Sequence, residues 1–237
     1  MQYLLNKIIL DLLLPNQCII CQRLNDCNIC SNCLASIPNT PNLWLKEQAY
    51  SQSIFHPKLN TRIQTPILKD SYLDSILTCV DFKNNIIKKS IHYLKYKNLP
   101  QLSQPLGSIM LRTLSQNLRI KDNVILCPIP LHPVRLNLRG YNQALLLAQY
   151  LEDKLRLPIY KGLHRVRNTP NQMKLSDKHA RIINMHNAFK STQKASPTLT
   201  NIILIDDVTT TLSTIQQAAK ALKTQGFTSI HALVLAH

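Results

Sequence analysis

Two groups of residues in this chain have the types and the spacing to do chemistry, and they lie near opposite ends. The first is the run CIICQRLNDCNICSNC, in which Cys18 and Cys21 are two residues apart, Cys30 and Cys33 likewise, with eight residues between the pairs. Two such knuckles facing each other bring four thiolates to one tetrahedral zinc. Cys27 is left over and is the alternative ligand within the cluster. Disulfides are the competing use of paired cysteines, but they belong to oxidising compartments. The apolar stretch ahead of Cys18, MQYLLNKIILDLLLP, is interrupted by Lys7 and Asp11, follows no basic region and precedes no small-residue cleavage site. It reads as an amphipathic helix over 1–15 stopped by Pro15, with a weak contact to a membrane surface open to it, and not as a secretion signal. A metal site in a reducing, cytoplasmic setting is therefore the better reading.

The second group is NIILIDDVTTTLSTI, residues 201–215. The apolar run Ile202, Ile203, Leu204, Ile205 is that of a strand covered on both faces of a parallel sheet. Asp206 and Asp207 then fall at its carboxyl end, and TIQQAAKALKTQG reads as the following helix, stopped by Gly226. Ligands of such sheets bind beyond the carboxyl ends of the strands. Backbone N–H groups at a strand-to-helix turn make a cradle for a phosphate, and the hydroxyls of Thr209, Thr210, Thr211, Ser213 and Thr214 add donors. Two carboxylates beside such a cradle would repel a phosphate, so they suit the hydroxyls of a sugar or a Mg²⁺ shared with one.

The elements that must carry this loop are legible around it. SILTCVDF reads as a strand, NNIIKKSIHYLKYKN as a helix with Ile87, Ile91 and Leu94 inward and Lys88, Lys89, Lys95 and Lys97 mostly outward, and QPLGSIMLRTLSQNL as a second helix. NVILCPIP is a buried strand and NQALLLAQYLEDKL a third helix, capped by Asn142, with Leu145, Ala148, Leu151 and Leu155 on one face. SIHALVLA supplies the next parallel strand. Cys79 and Cys127 read as core thiols. The polar, proline-punctuated stretch over 41–70 reads as a connector, which divides the chain into 1–40 (helix and zinc module), the connector, and 71–237 (an α/β domain).

With those residues in place, resemblances can be stated. ILIDDVTTTLST resembles the phosphoribosyl-pyrophosphate motif of type I phosphoribosyltransferases, which implies a doubly covered parallel sheet, Asp206 and Asp207 on the ribose diol, and Thr209 to Thr214 on the 5-phosphate. The motif's glycine is Leu212 here. If the position needs positive φ, leucine costs about 1–2 kcal/mol, and its side chain could crowd the phosphate. CPIPLHPVRLNLRGYNQALLLAQYL and LHRVRNTPNQMKLSDKHARIINMHNAF are similar to the stretches that mark the ComF proteins of natural competence: Arg139, Gly140, Tyr141, Asn142 and Gln143, then Arg165, Thr169 and Gln172, then Arg181 and Asn184. YLKYKN and the cysteine module resemble the same family, though many relatives carry further cysteine pairs. The resemblance implies that the loop Pro128 to Arg135 faces a diphosphate and that a basic segment from Arg165 to Arg181 closes over it, with Asp206, Asp207, Arg139, Arg165 and Arg181 as the candidate catalytic residues of an active enzyme.

Charge and size bound the rest. The 237 residues carry 28 Lys+Arg against 12 Asp+Glu, a formal net charge of +16, which favours polyanionic partners without bearing on the fold; a generally basic surface is the bland alternative. No stretch approaches the roughly 18 apolar residues of a bilayer span. Two functions remain, from different classes. One is a competence-associated protein handling incoming single-stranded DNA alongside other competence proteins, its basic segments tracking the backbone and Tyr93, Tyr96 or Tyr141 stacking on bases. The other is a phosphoribosyltransferase working on an unknown nitrogenous acceptor.

Overall fold

A strand that is apolar at every position must have a core on each side, and both cores are present. The computed structural model describes residues 17–25, 27–45, 62–64, 71–117, 124–169, 187–196, 201–210 and 212–237. The helix expected over 1–15 and the site candidates Gln172, Arg181, Asn184 and Thr211 lie outside the described residues. The strands are β1 (Asn42–Leu45), β2 (Arg62–Gln64), β3 (Ser75–Val80), β4 (Val124–Pro128), β5 (Leu163–Arg165), β6 (Phe189–Ser191), β7 (Asn201–Val208) and β8 (Ser229–Ala236). The helices are α1 (Ser31–Ala35), α2 (Asn85–Tyr96), α3 (Ser103–Asn117), α4 (Pro133–Arg139), α5 (Gln143–Leu155) and α6 (Ser213–Lys223).

The main sheet runs β2-β1-β3-β8-β7-β4. Strands β3, β8, β7 and β4 are mutually parallel, so the expected mostly parallel α/β sheet is present. Strand β1 pairs antiparallel with β3 and in register Leu43 with Leu77, and β2 adds parallel to β1. The segment expected as a connector thus supplies two strands that cover one edge of the sheet, which its broken pattern of prolines and polar residues does not reveal.

Alternation along β7 divides the interior. Ile203 and Ile205 join Leu77, Cys79, Leu126, Leu233 and Leu235 in a core beneath α2, α3 and α5. Ile202 and Leu204 join Ile76, Cys127, Ile230 and Ala232 in a second core beneath α6 and the antiparallel pair β5–β6. Period-two geometry sends successive side chains of one strand to opposite layers. Cys79 and Cys127 are fully buried, as expected of core thiols.

Helix α5 starts where predicted, with the Asn142 side chain accepting from Ala144 N–H at 3.1 Å. Its buried face is Ala144, Leu147, Ala148 and Leu151, a rotation from the predicted stripe: Leu145 and Leu155 are only half-buried. In a helix rich in leucine on several sides, spacing alone does not select which stripe meets the sheet.

The cysteine module is built onto the first core. Ile29 and Ile37 are 3% and 2% exposed and belong to that cluster, with Ile19, Ile20 and Leu34 packed against it. Asn39 Nδ2 donates to Gln116 Oε1 on α3 at 2.9 Å.

Candidate functional site

The parallel strands end at a cleft of about 1390 Å³. Asp206 and Asp207 are the last acidic residues of β7, which runs on to Val208, so they lie within the strand and not after it. Among the described residues, Lys88, Lys89, Lys95, Arg135, Arg139 and Arg165 line the cleft with them, as do Thr209, Thr210, Leu212, Ser213 and Thr214. Six cations facing two carboxylates leave an excess of positive charge where ligands of this architecture bind.

The acidic pair is held by two contacts. Asp207 is 2% exposed and its Oδ2 lies 2.7 Å from Lys95 Nζ, and Asp206 Oδ1 accepts the Asp207 N–H at 2.9 Å. Burial, then the adjacent Asp207, push the Asp206 carboxyl up to about 8, against the opposing pull of Lys95. Of the four lysines of α2 and its end expected to face mostly outward, Lys95 is the one turned to the acidic pair. It continues the row Ile87, Ile91, Lys95 along the buried side of the helix, a signal present in the spacing.

As arranged, the pair does not fit a dedicated Mg²⁺ site. A hard dication requires a near-octahedral shell of oxygens, whereas one carboxylate oxygen here meets an ammonium and another a backbone N–H.

The hydroxyl loop has a strained member. Leu212 is the residue preceding α6 and has φ 58° and ψ −3°, the left-handed region, with no side-chain cap. Its side chain packs against the second core as well as lining the cleft. Thr209 is 5% exposed and its N–H donates to the Ala236 carbonyl at 3.1 Å, completing the sheet. The Thr209 N–H is therefore committed to the sheet, and the start of α6 that follows it in the cleft is the positive end of a helix.

On the opposite wall, Arg135 and Arg165 converge on Thr169, the first donating to its carbonyl and the second to its hydroxyl. Arg165 is 8% exposed and stacks over Phe189 with its guanidinium carbon 5.6 Å from the ring centre. Burial and then Arg135 hold the Arg165 guanidinium down to about 10, while Asp206 pulls the other way; burial and then Arg139 lower Arg135 too. Cations crowded in this way into a covered site are stabilised by an anion between them.

The stretch Arg139 to Gln143 is the scaffold joining these walls. Gly140 closes α4 at φ 83°, its N–H donating to Leu136 carbonyl at 2.7 Å, a conformation glycine adopts at no steric cost. Arg139 is held by Gln143 Oε1 and lies over the Tyr96 ring at 5.5 Å. The Tyr141 hydroxyl donates to Leu94 carbonyl at 2.6 Å, and Asn142 Nδ2 to Ile129 carbonyl at 3.0 Å. Tyr141 therefore anchors the end of α2 that carries Lys95 and Tyr96, a role its sequence context did not suggest. Arg156, by contrast, caps α5 and does not line the cleft.

At the other end of the chain the sulfurs of Cys18, Cys21, Cys30 and Cys33 lie within 4.8 Å of one another. Cys21 and Cys30 sulfurs are 3.7 Å apart, too far for a disulfide and close to the roughly 3.8 Å that four sulfurs at about 2.3 Å from a tetrahedral zinc require. Burial works against a Cys18 thiolate, but backbone N–H groups of Cys21 and Cys30 outweigh it and hold the thiol down to about 6; Cys33, covered and beside the other sulfurs, is pushed up to about 12. Four sulfurs at these separations fit a structural zinc. Cys27 is exposed and outside the cluster.

Two curated proteins match about two thirds of this chain. Competence protein F of Haemophilus influenzae is 32% identical over 151 residues, covering 62% of this chain and 66% of the relative. Competence protein ComFC of Bacillus subtilis is 31% identical over 159 residues, covering 67% of this chain and 62% of the relative. The chain belongs to the ComF family. It spans less than two thirds of the length of either relative, and no protein-family model matches it. In this ComF chain no helix among the described residues is long and apolar enough to cross a membrane.

Proposed function

We propose that this ComF chain is a competence-associated protein that handles incoming single-stranded DNA on the cytoplasmic side, and that its cleft binds a phosphorylated pentose. The observation that carries the reading is the meeting of an acidic pair, a hydroxyl-rich strand-to-helix turn and six cationic side chains in one cleft at the carboxyl edge of the sheet. The carboxylates accept from vicinal sugar hydroxyls, the turn from Thr210 to Thr214 receives the 5-phosphate, and Arg135 with Arg165 meets a second anionic group. The link to competence comes from the names of the two relatives, and the handling of single-stranded DNA is inferred from the positive charge along the cleft. Outside the sugar site, Lys88, Lys89 and Arg139 extend positive charge along the cleft, and Tyr96, 51% exposed, offers a stacking face.

Fluorescence anisotropy with a labelled single strand, titrated at several salt concentrations, tests this. The expected logarithmic slope is about −0.7 per phosphate engaged; affinity that ignores salt, or none at physiological salt, refutes the DNA half of the proposal. An active phosphoribosyltransferase is the second reading, favoured by the converging pair Arg135 and Arg165, cations suited to a departing diphosphate. Diphosphate release from phosphoribosyl pyrophosphate in the presence of candidate nitrogenous acceptors decides it.

A further inference from the structure

The acidic pair already has a cation, and that cation belongs to the chain. We infer that Lys95 serves as the built-in counter-charge of Asp206 and Asp207, so that the cleft takes its phosphorylated pentose without a divalent metal. The inference deepens the pentose-phosphate reading and rests on it.

Three observations converge. The Lys95 ammonium reaches Asp207 Oδ2 at 2.7 Å with only 16% of its side chain exposed, against 2% for the aspartate. This is a contact ion pair in a covered setting, not a loose surface pair. The ammonium is also delivered by a fixed support: Asn84 caps the start of α2 through the N–H groups of Ile86 and Ile87 at 3.0 and 3.1 Å, and Tyr141 holds the Leu94 carbonyl at its end. Finally, Arg165 lines the same cleft from the opposite wall and adds a second positive charge facing the pair. A dication entering between Lys95 and Arg165 would meet two positive charges and have to displace a carboxylate contact already made.

A single ammonium does for this pair what a shared metal does elsewhere. It lowers the cost of keeping two adjacent carboxylates covered while leaving them able to accept from two hydroxyls of a diol. The specificity that follows is for a sugar with vicinal hydroxyls and a 5-phosphate, with no metal in the recognition step.

Calorimetric titration of the full chain with ribose 5-phosphate, which lacks a diphosphate to recruit metal on its own account, tests this directly. In EDTA and in millimolar Mg²⁺ the dissociation constants should agree within about threefold, and 2-deoxyribose 5-phosphate, lacking one hydroxyl, should bind about tenfold or more weakly in both. Lys95→Met should weaken binding in EDTA by about tenfold or more and recover part of the loss when Mg²⁺ is added, whereas Lys95→Arg should retain metal-independent binding. Wild-type binding that collapses in EDTA and returns with Mg²⁺ overturns the inference while leaving the pentose-phosphate reading intact, and that comparison needs no variant. Absence of binding in both buffers, to ribose 5-phosphate and to phosphoribosyl pyrophosphate alike, overturns the reading itself and this inference with it.

Discussion

Replacing Leu212 separates two effects that the sequence alone confounds. Its φ of 58° places a Cβ-bearing residue in the left-handed region, at about 1–2 kcal/mol relative to glycine. Its side chain is half-buried against the second core, so truncation to alanine removes about 1–2 kcal/mol of packing and relieves none of the strain. Truncation to glycine loses the same packing, adds about 0.5–1 kcal/mol of unfolded-state entropy, and removes the backbone cost. Leu212→Gly should therefore be more stable than Leu212→Ala by about 0.5–1 kcal/mol, which for a chain of this size is about 1–4 °C in Tm. At an ordinary right-handed position the order is the reverse. The protein's single tryptophan, Trp44, is buried in that second core, so thermal unfolding followed by its fluorescence reads the relevant region. Since the left-handed geometry is already adopted without ligand, the strain burdens folding and not binding, and affinity for ribose 5-phosphate should change by less than about threefold in the glycine variant. A Leu212→Gly protein that melts below Leu212→Ala refutes the backbone argument, and a glycine variant that binds about tenfold more tightly shows that the leucine side chain obstructs the phosphate.

Protein purified without added metal should carry close to one equivalent of zinc by elemental analysis, and the Cys30→Ser, Cys33→Ser double variant should carry none. Because Ile29 and Ile37 sit in the first core, that variant should also lower the melting temperature of the whole chain, and retained zinc would relocate the site. For Asp206, whose folded carboxyl is raised from 3.8 to about 8, the folded state holds the proton more tightly than the unfolded one. The associated stability is complete below pH 3.8 and is lost as pH rises through about 8. The Asp206→Asn variant should show a flatter dependence of Tm on pH across that window, and parallel curves for variant and wild type would contradict the shift. Replacing Arg139 and Arg165 by alanine should flatten the salt dependence of single-strand binding by about 0.7 for each phosphate no longer neutralised; an unchanged slope would assign DNA to another surface.

Much of this molecule is written in local patterns. The continuous run Ile202 to Ile205 could only be a strand with two cores, because no single-sided sheet tolerates apolar residues at both alternations. The two cysteine pairs carried their own geometry, since the two-residue spacing is what a tetrahedral site uses. An acidic pair near the end of a buried strand indicated the edge of the sheet at which the cleft lies. The strands β1 and β2, by contrast, were illegible: each is short, and each is stabilised by an edge supplied from elsewhere in the sheet, so their own composition carries little of the signal. The same holds for the face of α5. Lys95 is the sharpest case, for its place on the row Ile87, Ile91, Lys95 was readable but its meaning was not. A lysine on the edge of an apolar stripe is usually one that reaches past it to water. Only the packing of α2 across the end of β7, pinned by a tyrosine 46 residues further along, decides that this one reaches an aspartate instead. Periodicity records what each residue's neighbours on its own element require, whereas the pairing of a particular charge with another across the cleft depends on how separate elements are set against each other, and that is a property of the assembled cores.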